Sequence, residues 1–328
     1  MAVIVGGIGG GGDVGLAAVI VEDVGLRGSV SAIASFNRCS RRTAPGGLER
    51  VAGALYRVGR GARLGRRVFE DKLPLVAGWA REVYILCAED PWPWLVEGLE
   101  WLLDRYGVSC MVHADTGGDA LVTGYEREMG SYTVDTVARA VLASVSERRG
   151  VRSILAVGAA GGEGGGRELG LDDLAATLSL LDSEGAILGA FAPRRESLAL
   201  ARALLGLAES GMLPLFLRAA EGARVARISM AYLYGEFEVK PWYRYVILVD
   251  TVRACRISPV CAVAVGRGVT GVRRWASRRR GLDKRVARLY ERARSTLERS
   301  GPGPLEEAIM RIVEKHARRG ARALKSCR

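Results

Sequence analysis

The residues best suited to chemistry in this sequence are carboxylates that lie in three glycine-rich turns. The turns are residues 6–13 (GGIGGGGD), 115–119 (DTGGD) and 158–166 (GAAGGEGGG). Glycine allows positive φ angles and a close approach of the backbone to a ligand, and the amides that open a following helix can hold an anion. Converging carboxylates suit a hard cation such as Mg²⁺, hydrogen bonds to sugar hydroxyls, or proton transfer. The turns therefore predict one site for a small polar ligand, phosphorylated or sugar-like.

The predicted site gives each residue type a role. The catalytic candidates are Asp119, Asp115 and Asp13, and the candidate Mg²⁺ ligands are Asp13 and Asp119. The ligand-binding candidates are the glycines and polar residues around them: Gly9, Gly10, Gly11, Gly12, Gly117, Gly118, Glu126, Glu163, Asn37 and Arg38. For each single acid a helix cap or a solvated position is the competing interpretation, since aspartate often caps helices. The set favours a Mg²⁺-dependent hydrolase or transferase.

The first turn also permits a dinucleotide interpretation. Gly7, Gly9 and Gly12 match the pattern G-x-G-x-x-G between a strand and a helix. Arg38, after the second predicted strand, could then meet the 2′-phosphate of NADP. Against this, a run so rich in glycine matches many patterns by chance, and Asp13 would repel a pyrophosphate unless a cation intervened. NADP binding stays open as the alternative.

Short apolar runs alternate with helical patterns along the first 250 residues. The predicted strands are residues 2–5, 30–35, 83–88, 109–113, 154–157 and 186–190, with a further strand-like run at 245–249. The predicted helices are residues 14–24, 93–105, 134–148, 171–181 and 196–209. Apolar strands separated by amphipathic helices are typical of a mainly parallel sheet covered on both faces. This predicts a Rossmann-like layered α/β fold, whose ligands bind beyond the carboxyl ends of the strands.

The end of the chain differs in composition. Residues 1–265 are predicted to form the ligand-binding α/β domain, and residues 266–328 a basic helical C-terminal extension with helices near 282–297 and 305–323. Residues 253–328 carry 21 basic and 6 acidic side chains, whereas residues 1–252 carry 27 and 30. The run from Arg273 to Arg280 (RRWASRRR) is the candidate nucleic-acid site, because clustered Arg beside an aromatic ring can hold phosphates and stack on a base. A solvated helix face is the competing interpretation.

Composition excludes several classes of protein. An apolar share of 49% with 26% charged residues excludes a disordered chain, and no apolar run is long enough to span a membrane. These features predict a soluble, cytoplasmic protein without a membrane partner. The sequence also lacks the G-x-x-x-x-G-K-[ST] pattern of a P-loop and the G-x-S-x-G pattern of an α/β-hydrolase.

The six cysteines and the amide residues bear on the source of the protein. No C-x-x-C pair supports a zinc ribbon. Free buried thiols are the expected state, and disulfides, which hyperthermophiles form even inside the cell, are the alternative. Glutamine is absent and Asn37 is the single asparagine, which favours a hyperthermophilic source because amides deamidate at high temperature.

Three further sets of residues allow two interpretations each. His113 precedes the second turn and suits either proton transfer or a buried position in a strand. Trp92 and Trp94 (PWPW) suit a binding surface or, more simply, the packed start of a helix. A third set comprises Tyr232, Tyr234, Trp242, Tyr243 and Tyr245. Aromatic residues are enriched in subunit contacts, so this set predicts a homodimer.

The second turn belongs to a longer element, residues 113–126 (HADTGGDALVTGYE). This element resembles the D-x-G-G-D-x-L-x-x-G-x-E element of a prokaryotic family, the domain of unknown function numbered 1152. Residues 9–17 (GGGGDVGLA) resemble that family's opening element, residues 131–135 (SYTVD) its serine-to-aspartate helix start, and residues 158–169 its third glycine element without the aspartate. The resemblance covers about residues 1–190, and it implies a shared α/β site without an assigned activity.

Overall fold

Twelve β-strands and thirteen α-helices lie within the part of the chain that the computed structural model describes, residues 2–9, 11–64, 67–68, 70–76, 78–126, 132–162, 169–205, 212–229, 234–276, 284–299 and 302–327. The strands are β1 Ala2–Gly7, β2 Val30–Asn37, β3 Gly46–Ala52, β4 Leu55–Leu64, β5 Arg67–Val68, β6 Val83–Cys87, β7 Val108–Thr116, β8 Arg152–Gly158, β9 Ile187–Phe191, β10 Val225–Ser229, β11 Tyr234–Glu238 and β12 Val246–Asp250. The helices are α1 Gly11–Val24, α2 Leu73–Val76, α3 Trp92–Tyr106, α4 Thr133–Arg149, α5 Leu171–Ser183, α6 Leu198–Leu205, α7 Leu213–Ala220, α8 Thr251–Arg256, α9 Pro259–Ala264, α10 Gly268–Ala276, α11 Lys284–Glu298, α12 Pro302–Ala317 and α13 Arg322–Lys325.

Ten of the strands form one sheet, in the order β3-β4-β6-β2-β1-β7-β8-β12-β9, with β5 beside β4. The neighbours β6, β2, β1, β7 and β8 are parallel. Within this sheet only β4 and β12 run against the common direction. Numbered along the chain, the five parallel strands have the spatial order 3-2-1-4-5 of a doubly wound Rossmann arrangement. The predicted Rossmann-like α/β fold is confirmed.

Helices cover the sheet in two separate groups. The crossover from β1 through α1 to β2 moves in one direction along the sheet, and the crossover from β7 through α4 to β8 moves in the other. Because such crossovers are right-handed, α1 and α4 lie on opposite faces. α1 packs with α6 and α7, whereas α4 packs with α3, α8, α9 and α10. This arrangement buries the parallel strands on both sides, which is why they appear in the sequence as continuous apolar runs.

The sheet has an antiparallel part at each end of the five parallel strands. The hairpin β3–β4 pairs with β6 at one end, and β12 lies between β8 and β9 at the other. The sequence predicted β9 and β12 as strands but not the hairpin. Most residues of β3 are exposed and interrupted by glycine and charge, so β3 lacks the apolar run that marks a buried strand.

The helices after residue 265 pack on the α/β layers. α11 and α12 contact α5, and α12 also contacts β9. Leu305, Ile309 and Val313 on α12 are buried in the main core. The domain boundary at residue 265 stays a prediction. No helix in the described part of the chain is long and apolar enough to cross a membrane.

The expectation of free thiols is wrong, because all six cysteines are paired. The disulfides are Cys39–Cys87, Cys110–Cys327 and Cys255–Cys261. The pairing joins β7 to the end of the chain over a sequence separation of 217 residues. Such long-range neighbours are set by the fold and cannot be deduced from the spacing of cysteines.

Candidate functional site

The candidate site lies where the order of the parallel strands reverses. β1 and β7 are neighbours in the sheet, but the chain leaves β1 toward β2 and leaves β7 toward β8. In open α/β sheets the loops after such a pair of strands diverge and leave a crevice beyond the carboxyl ends, which is the usual ligand position. The first glycine turn follows β1, and the second follows β7. The fold thus brings the first two predicted turns together.

Four buried carboxylates meet in this crevice. Oxygens of Asp115, Asp119 and Asp135 all lie within 4.8 Å of one another. These side chains are 1%, 8% and 4% exposed, respectively, and Asp13 is 6% exposed. Asp13 Oδ1 accepts hydrogen bonds from the amide and the hydroxyl of Thr116, each at 2.8 Å. The three predicted catalytic acids therefore come together, and Asp135 at the start of α4 joins them.

Burial and mutual repulsion disfavour ionisation of this cluster. Burial raises the pKa of Asp115 well above its usual value, and the charges of Asp119, Asp13 and Asp135 add to the rise. The pKa of Asp135 is raised by burial, by the charges of Asp119 and Asp13, and by a hydrogen bond with Asp119. Two carboxyls in such contact favour sharing a proton, or else a cation that neutralises both.

The glycines of the first two turns have backbone angles that other residues rarely adopt. Their φ angles are 103° at Gly9, 120° at Gly117 and 112° at Gly118. A Cβ atom at Gly9 would lie 3.1 Å from Asp135 Oδ1 and 3.8 Å from Asp13 Oδ2, so the absence of a side chain there lets the two carboxylates approach.

The amides of these turns were predicted to hold the ligand, but three of them donate inside the protein. Gly9 N–H bonds Phe36 O, Gly117 N–H bonds Gly158 O, and Gly118 N–H bonds Asp115 Oδ2. Gly11 and Gly12 open α1, where amides have no partner within the helix. Gly10 lies outside the described residues. The turns therefore bring the carboxylates together, and the start of α1 is the part that offers amides to an anion.

Arg139 fixes the loop that carries Asp119. It is one helical turn after Asp135 on α4 and is 1% exposed. Its guanidinium donates to Ala120 O at 2.7 Å and to Val122 O at 2.5 Å. Burial lowers the pKa of Arg139 to about 10, while the charges of Glu126 and Asp135 oppose the fall. Arg139 remains a cation at neutral pH and partly balances the buried acids.

Glu126 anchors the far end of the same loop. Its Oε1 accepts from the Thr123 amide and hydroxyl and from the Thr177 hydroxyl, and its Oε2 accepts from the Gly124 amide, all between 2.7 and 2.8 Å. The side chain has no exposed surface. Glu126 was predicted to touch the ligand, but these bonds give it the role of holding the loop closed.

The third glycine turn packs against the second. Gly161 N–H donates to Gly117 O at 2.5 Å, and Ala159 has a φ of 51°, which is unusual for a residue with a side chain. Two residues of the aromatic set that predicted a homodimer hold this turn. Trp242 Nε1 donates to Ala160 O, and Tyr243 donates to Gly161 O. Glu163 lies outside the described residues, as does Tyr232.

The two ligand candidates at the end of β2, Asn37 and Arg38, contact other acids and are not part of the group of carboxylates that could hold a metal ion. Arg38 is exposed and lies 3.8 Å from Glu89 in an ion pair. Asn37 lies beside Asp71, a buried acid that the sequence did not single out. Burial raises the pKa of Asp71 to about 6, while interactions with Asn37 and Ser35 oppose the rise. Ser35 also accepts the Gly7 amide, so this group supports the first turn from the β2 side.

His113 occupies the buried strand position that was its simpler interpretation. Its Nε2 lies 3.1 Å from Ala34 O, and the side chain has no exposed surface. Burial lowers the pKa of His113 to about 4, although the bond to Ala34 opposes the fall. The ring is therefore neutral at physiological pH.

The basic run that begins at Arg273 contains both buried and exposed side chains. Trp275 is buried, and a Cβ at Gly124 would touch its ring. It is therefore not available to stack on a base. Arg273 is exposed and donates to Glu89 at 2.9 Å. Residues 277–280 lie outside the described residues.

The acidic cluster fits a hard divalent cation. Each of Asp115, Asp119 and Asp135 offers a carboxylate oxygen, the donor type that Mg²⁺ and Ca²⁺ prefer. Oxygens bound to one cation lie at most about 5 Å apart around Ca²⁺ and about 4.2 Å apart around Mg²⁺, which forms shorter bonds. The carboxylate oxygens all lie within 4.8 Å of one another, so the cluster meets the limit for Ca²⁺ as it stands, and Mg²⁺ requires its widest pair to lie within about 4.2 Å. Among the described residues this is the one group of three His, Cys, Asp or Glu side chains that could hold a metal ion.

Fold and site together define an α/β protein of Rossmann-like topology with an acidic site at the switch between β1 and β7. The chain belongs to the family described as protein of unknown function (DUF1152), whose family model matches residues 4–274. The match includes all four aspartates, Arg139 and Glu126, and it extends well beyond the region of about 190 residues in which the resemblance was predicted. No curated protein and no solved structure matches the chain.

Replacing Asp135 with asparagine is expected to raise the melting temperature of the metal-free protein at neutral pH. The folded-state pKa of Asp135 is raised, so its contribution to stability is full below the unfolded value of about 3.9 and is lost as pH rises through the folded value. Asparagine carries no charge, so the variant does not lose this stability as the pH rises. Melting curves in EDTA, recorded near pH 4 and near pH 7, should show the larger gain at the higher pH.

Asp182→Asn is the matched control with the opposite sign. Burial alone would raise the pKa of Asp182, but Lys315 and His316 hold it below its usual value. The uncharged variant is therefore expected to lose stability at neutral pH. If both variants change the melting temperature in the same direction, repulsion within the acidic cluster is not the cause of the effect.

Proposed function

We propose that the protein binds a divalent cation, Mg²⁺ in the first instance, together with a small phosphorylated or sugar-like ligand, and that it acts as a metal-assisted hydrolase or transferase. The observation that carries the proposal is the convergence of Asp115, Asp119 and Asp135 within 4.8 Å at the strand switch point. Buried acids with raised pKa values at a ligand-binding position are typical of functional sites. Neutral side chains at these positions would make the fold more stable, so a purely structural role does not explain the buried acids.

Each part of the site has a role in this proposal. Asp115, Asp119 and Asp135 hold the cation, which when bound polarises a phosphoryl or carbonyl oxygen of the ligand. The amides of Gly11 and Gly12 at the start of α1 receive the anionic group. Asp13, whose Oδ1 is held by Thr116, is the group for proton transfer through Oδ2.

The acidic cluster favours the cation over the dinucleotide alternative. A pyrophosphate at the start of α1 would face Asp13 and Asp135, whose oxygens lie beside Gly9. That contact is repulsive unless a cation lies between them. Arg38, the proposed partner of an NADP phosphate, is already paired with Glu89. NADP binding and a homodimer therefore remain predictions. The contacts described above do not support either of them further.

Thermal melting with the metal alone tests the proposal. Wild-type protein is expected to melt at a higher temperature in MgCl₂ or MnCl₂ than in EDTA, because a ligand at 100 times its Kd adds about 2.7 kcal/mol. Asp119→Asn should abolish the shift. Sugar phosphates and nucleotides, added in the presence of Mg²⁺, should then give a second shift that identifies the ligand class.

Asp90→Asn is the matched control. Asp90 is also a buried aspartate at the carboxyl side of the sheet, but it follows β6 and accepts the Arg41 amide at 2.8 Å. This variant is expected to keep the whole metal-dependent shift. The proposal is overturned if wild-type protein melts at the same temperature with and without either metal, or if Asp119→Asn keeps the full shift.

A further inference from the structure

The β3–β4 hairpin and the loop that precedes it carry a concentration of positive charge that the rest of the α/β body does not share. Residues 38–63 contain seven arginines and one acid, Glu49. The remainder of residues 1–252 carries 20 basic and 29 acidic side chains. All seven arginines are exposed: Arg38, Arg41, Arg42, Arg50, Arg57, Arg60 and Arg63. The charge therefore belongs to one stretch of the chain, the β2–β3 loop and the β3–β4 hairpin, whose exposed part we call the hairpin surface.

Few acids neutralise the hairpin surface. Arg57 pairs with Glu49, Arg38 lies 3.8 Å from Glu89, and the charges of Arg50 and Arg41 act on the buried carboxyl of Asp90. Within the part of the chain that the structure describes, Arg42, Arg60 and Arg63 have no carboxylate at ion-pair distance. Exposed charges that repel one another give no stability to the fold, so an acidic partner outside the chain would account for them better.

An aromatic side chain lies within the same surface. The guanidinium of Arg50 lies 5.0 Å from the centre of the Trp94 ring, and that of Arg41 lies 6.0 Å from it. Trp94 O accepts the Ala54 amide at 2.9 Å, which joins the start of α3 to the hairpin turn. Gly53 makes this close approach feasible, since a Cβ there would lie 2.2 Å from Trp94 O.

We propose that the hairpin surface binds single-stranded nucleic acid. Exposed arginines on β3, on β4 and in the loop before them, beside a partly exposed tryptophan, supply phosphate contacts and a stacking platform, the two elements of such sites. Protein interfaces need an apolar centre, and the large hydrophobic residues exposed in the described part of the chain are Val225 and Val265, outside this surface. An amphipathic membrane surface needs exposed apolar side chains as well.

The strand part of this surface is separate from the acidic site, whereas Arg38, Arg41 and Arg42 follow β2, the neighbour of β1. β3 is four strands from β1 in the sheet, a distance of about 19 Å at the usual spacing between strands. The carboxylates at the switch point would repel a polyanion. The hairpin surface can therefore bind nucleic acid whether or not the acidic site binds a cation.

Fluorescence anisotropy with a labelled oligothymidine tests the proposal. Wild-type protein is expected to bind the probe with an affinity that falls steeply with salt. The triple variant Arg42→Ala, Arg60→Ala, Arg63→Ala should bind at least tenfold more weakly. Its slope of log affinity against log salt should decrease in magnitude by about 2, since each lost phosphate contact removes about 0.7.

The matched control removes the same charge elsewhere. Arg288, Arg292 and Arg299 are exposed on or beside α11, and their replacement by alanine should leave affinity within about twofold of wild type. A cooperative melting transition in EDTA establishes that each variant is folded. The proposal is overturned if wild-type protein does not bind the probe, if both triple variants lose affinity equally, or if vesicles of anionic phospholipid bind in place of the oligonucleotide.

Discussion

Arg139→Met is expected to lower the free energy of unfolding by about 3–5 kcal/mol, because the change removes one partner from a buried charge network. Arg139 donates to two carbonyls of the Asp119 loop and to Ser258 Oγ. Methionine would leave the two carbonyls buried without this donor and remove the positive charge that acts on Glu126; Ser258 Oγ would keep the Cys261 amide as a donor. Urea denaturation in EDTA measures the loss.

Two further variants separate charge from geometry at this position. Arg139→Lys keeps the cation, but one ammonium cannot reproduce the planar fork that reaches Ala120 O, Val122 O and Ser258 together, so an intermediate loss is expected. Arg148→Met removes an exposed arginine of the same helix, paired with Glu100, and should cost less than about 1 kcal/mol. If Arg139→Met costs no more than Arg148→Met, the loop does not depend on the buried guanidinium.

The metal response of these variants connects stability to the proposed site. Arg139 holds Ala120 and Val122, and Asp119 directly precedes them. A change in the loop moves the Asp119 carboxylate away from Asp115 and Asp135. We therefore expect Arg139→Lys, at temperatures where it is fully folded, to show a smaller Mg²⁺-dependent shift than wild type.

The parts of the fold that the sequence predicted are those in which one short stretch contains its own signal. β1 and β7 are buried on both faces, so β1 appears as an unbroken apolar run and β7 as a mainly apolar one, and each ends in a glycine-and-acid turn. Since both runs precede helical patterns, their turns had to lie at the same edge of a parallel sheet. The convergence of Asp13, Asp115 and Asp119 was predictable for this reason.

Asp135 and Arg139 were missed as site residues because their signal depends on distant partners. Within the helical pattern of α4 both occupy positions that a solvent-facing polar residue could fill. The two residues are one helical turn apart on α4. Only the packing of α4 beside the β7 loop brings them against Asp119 and Ala120. One signal was present: Arg139 is the single charged residue between Asp135 and Glu147.

The basic run from Arg273 shows the reverse case, in which charge obscured a packing signal. Val269, Val272 and Trp275 recur at a spacing of three residues, and all three are buried against the core. The helical spacing of these three apolar residues predicts a buried helix face if the arginines between them are ignored. The β3–β4 hairpin, by contrast, gave no strand signal, because β3 and β4 lack the apolar runs by which buried strands are recognised.

Removing the Cys110–Cys327 disulfide is expected to lower the free energy of unfolding by about 3–5 kcal/mol, since closing a long loop restricts the unfolded chain most. Its cysteines are 217 residues apart, whereas Cys255 and Cys261 are 6 apart. The double variant Cys110→Ala, Cys327→Ala avoids burying a new hydroxyl where both sulfurs are buried. The matched variant Cys255→Ala, Cys261→Ala should cost about 2 kcal/mol on the same entropic basis.

The loss should appear in stability and not in the cation response. Cys110 and Asp115 lie on the same strand, five residues apart, which places them about 16 Å from each other at the rise of an extended chain. The disulfide ties the chain end to the half of β7 that is remote from the carboxylates. At temperatures where it is folded, the Cys110/Cys327 variant should therefore keep the Mg²⁺-dependent shift. Equal losses of stability in the two disulfide variants would show that local packing, rather than loop length, determines what each disulfide contributes.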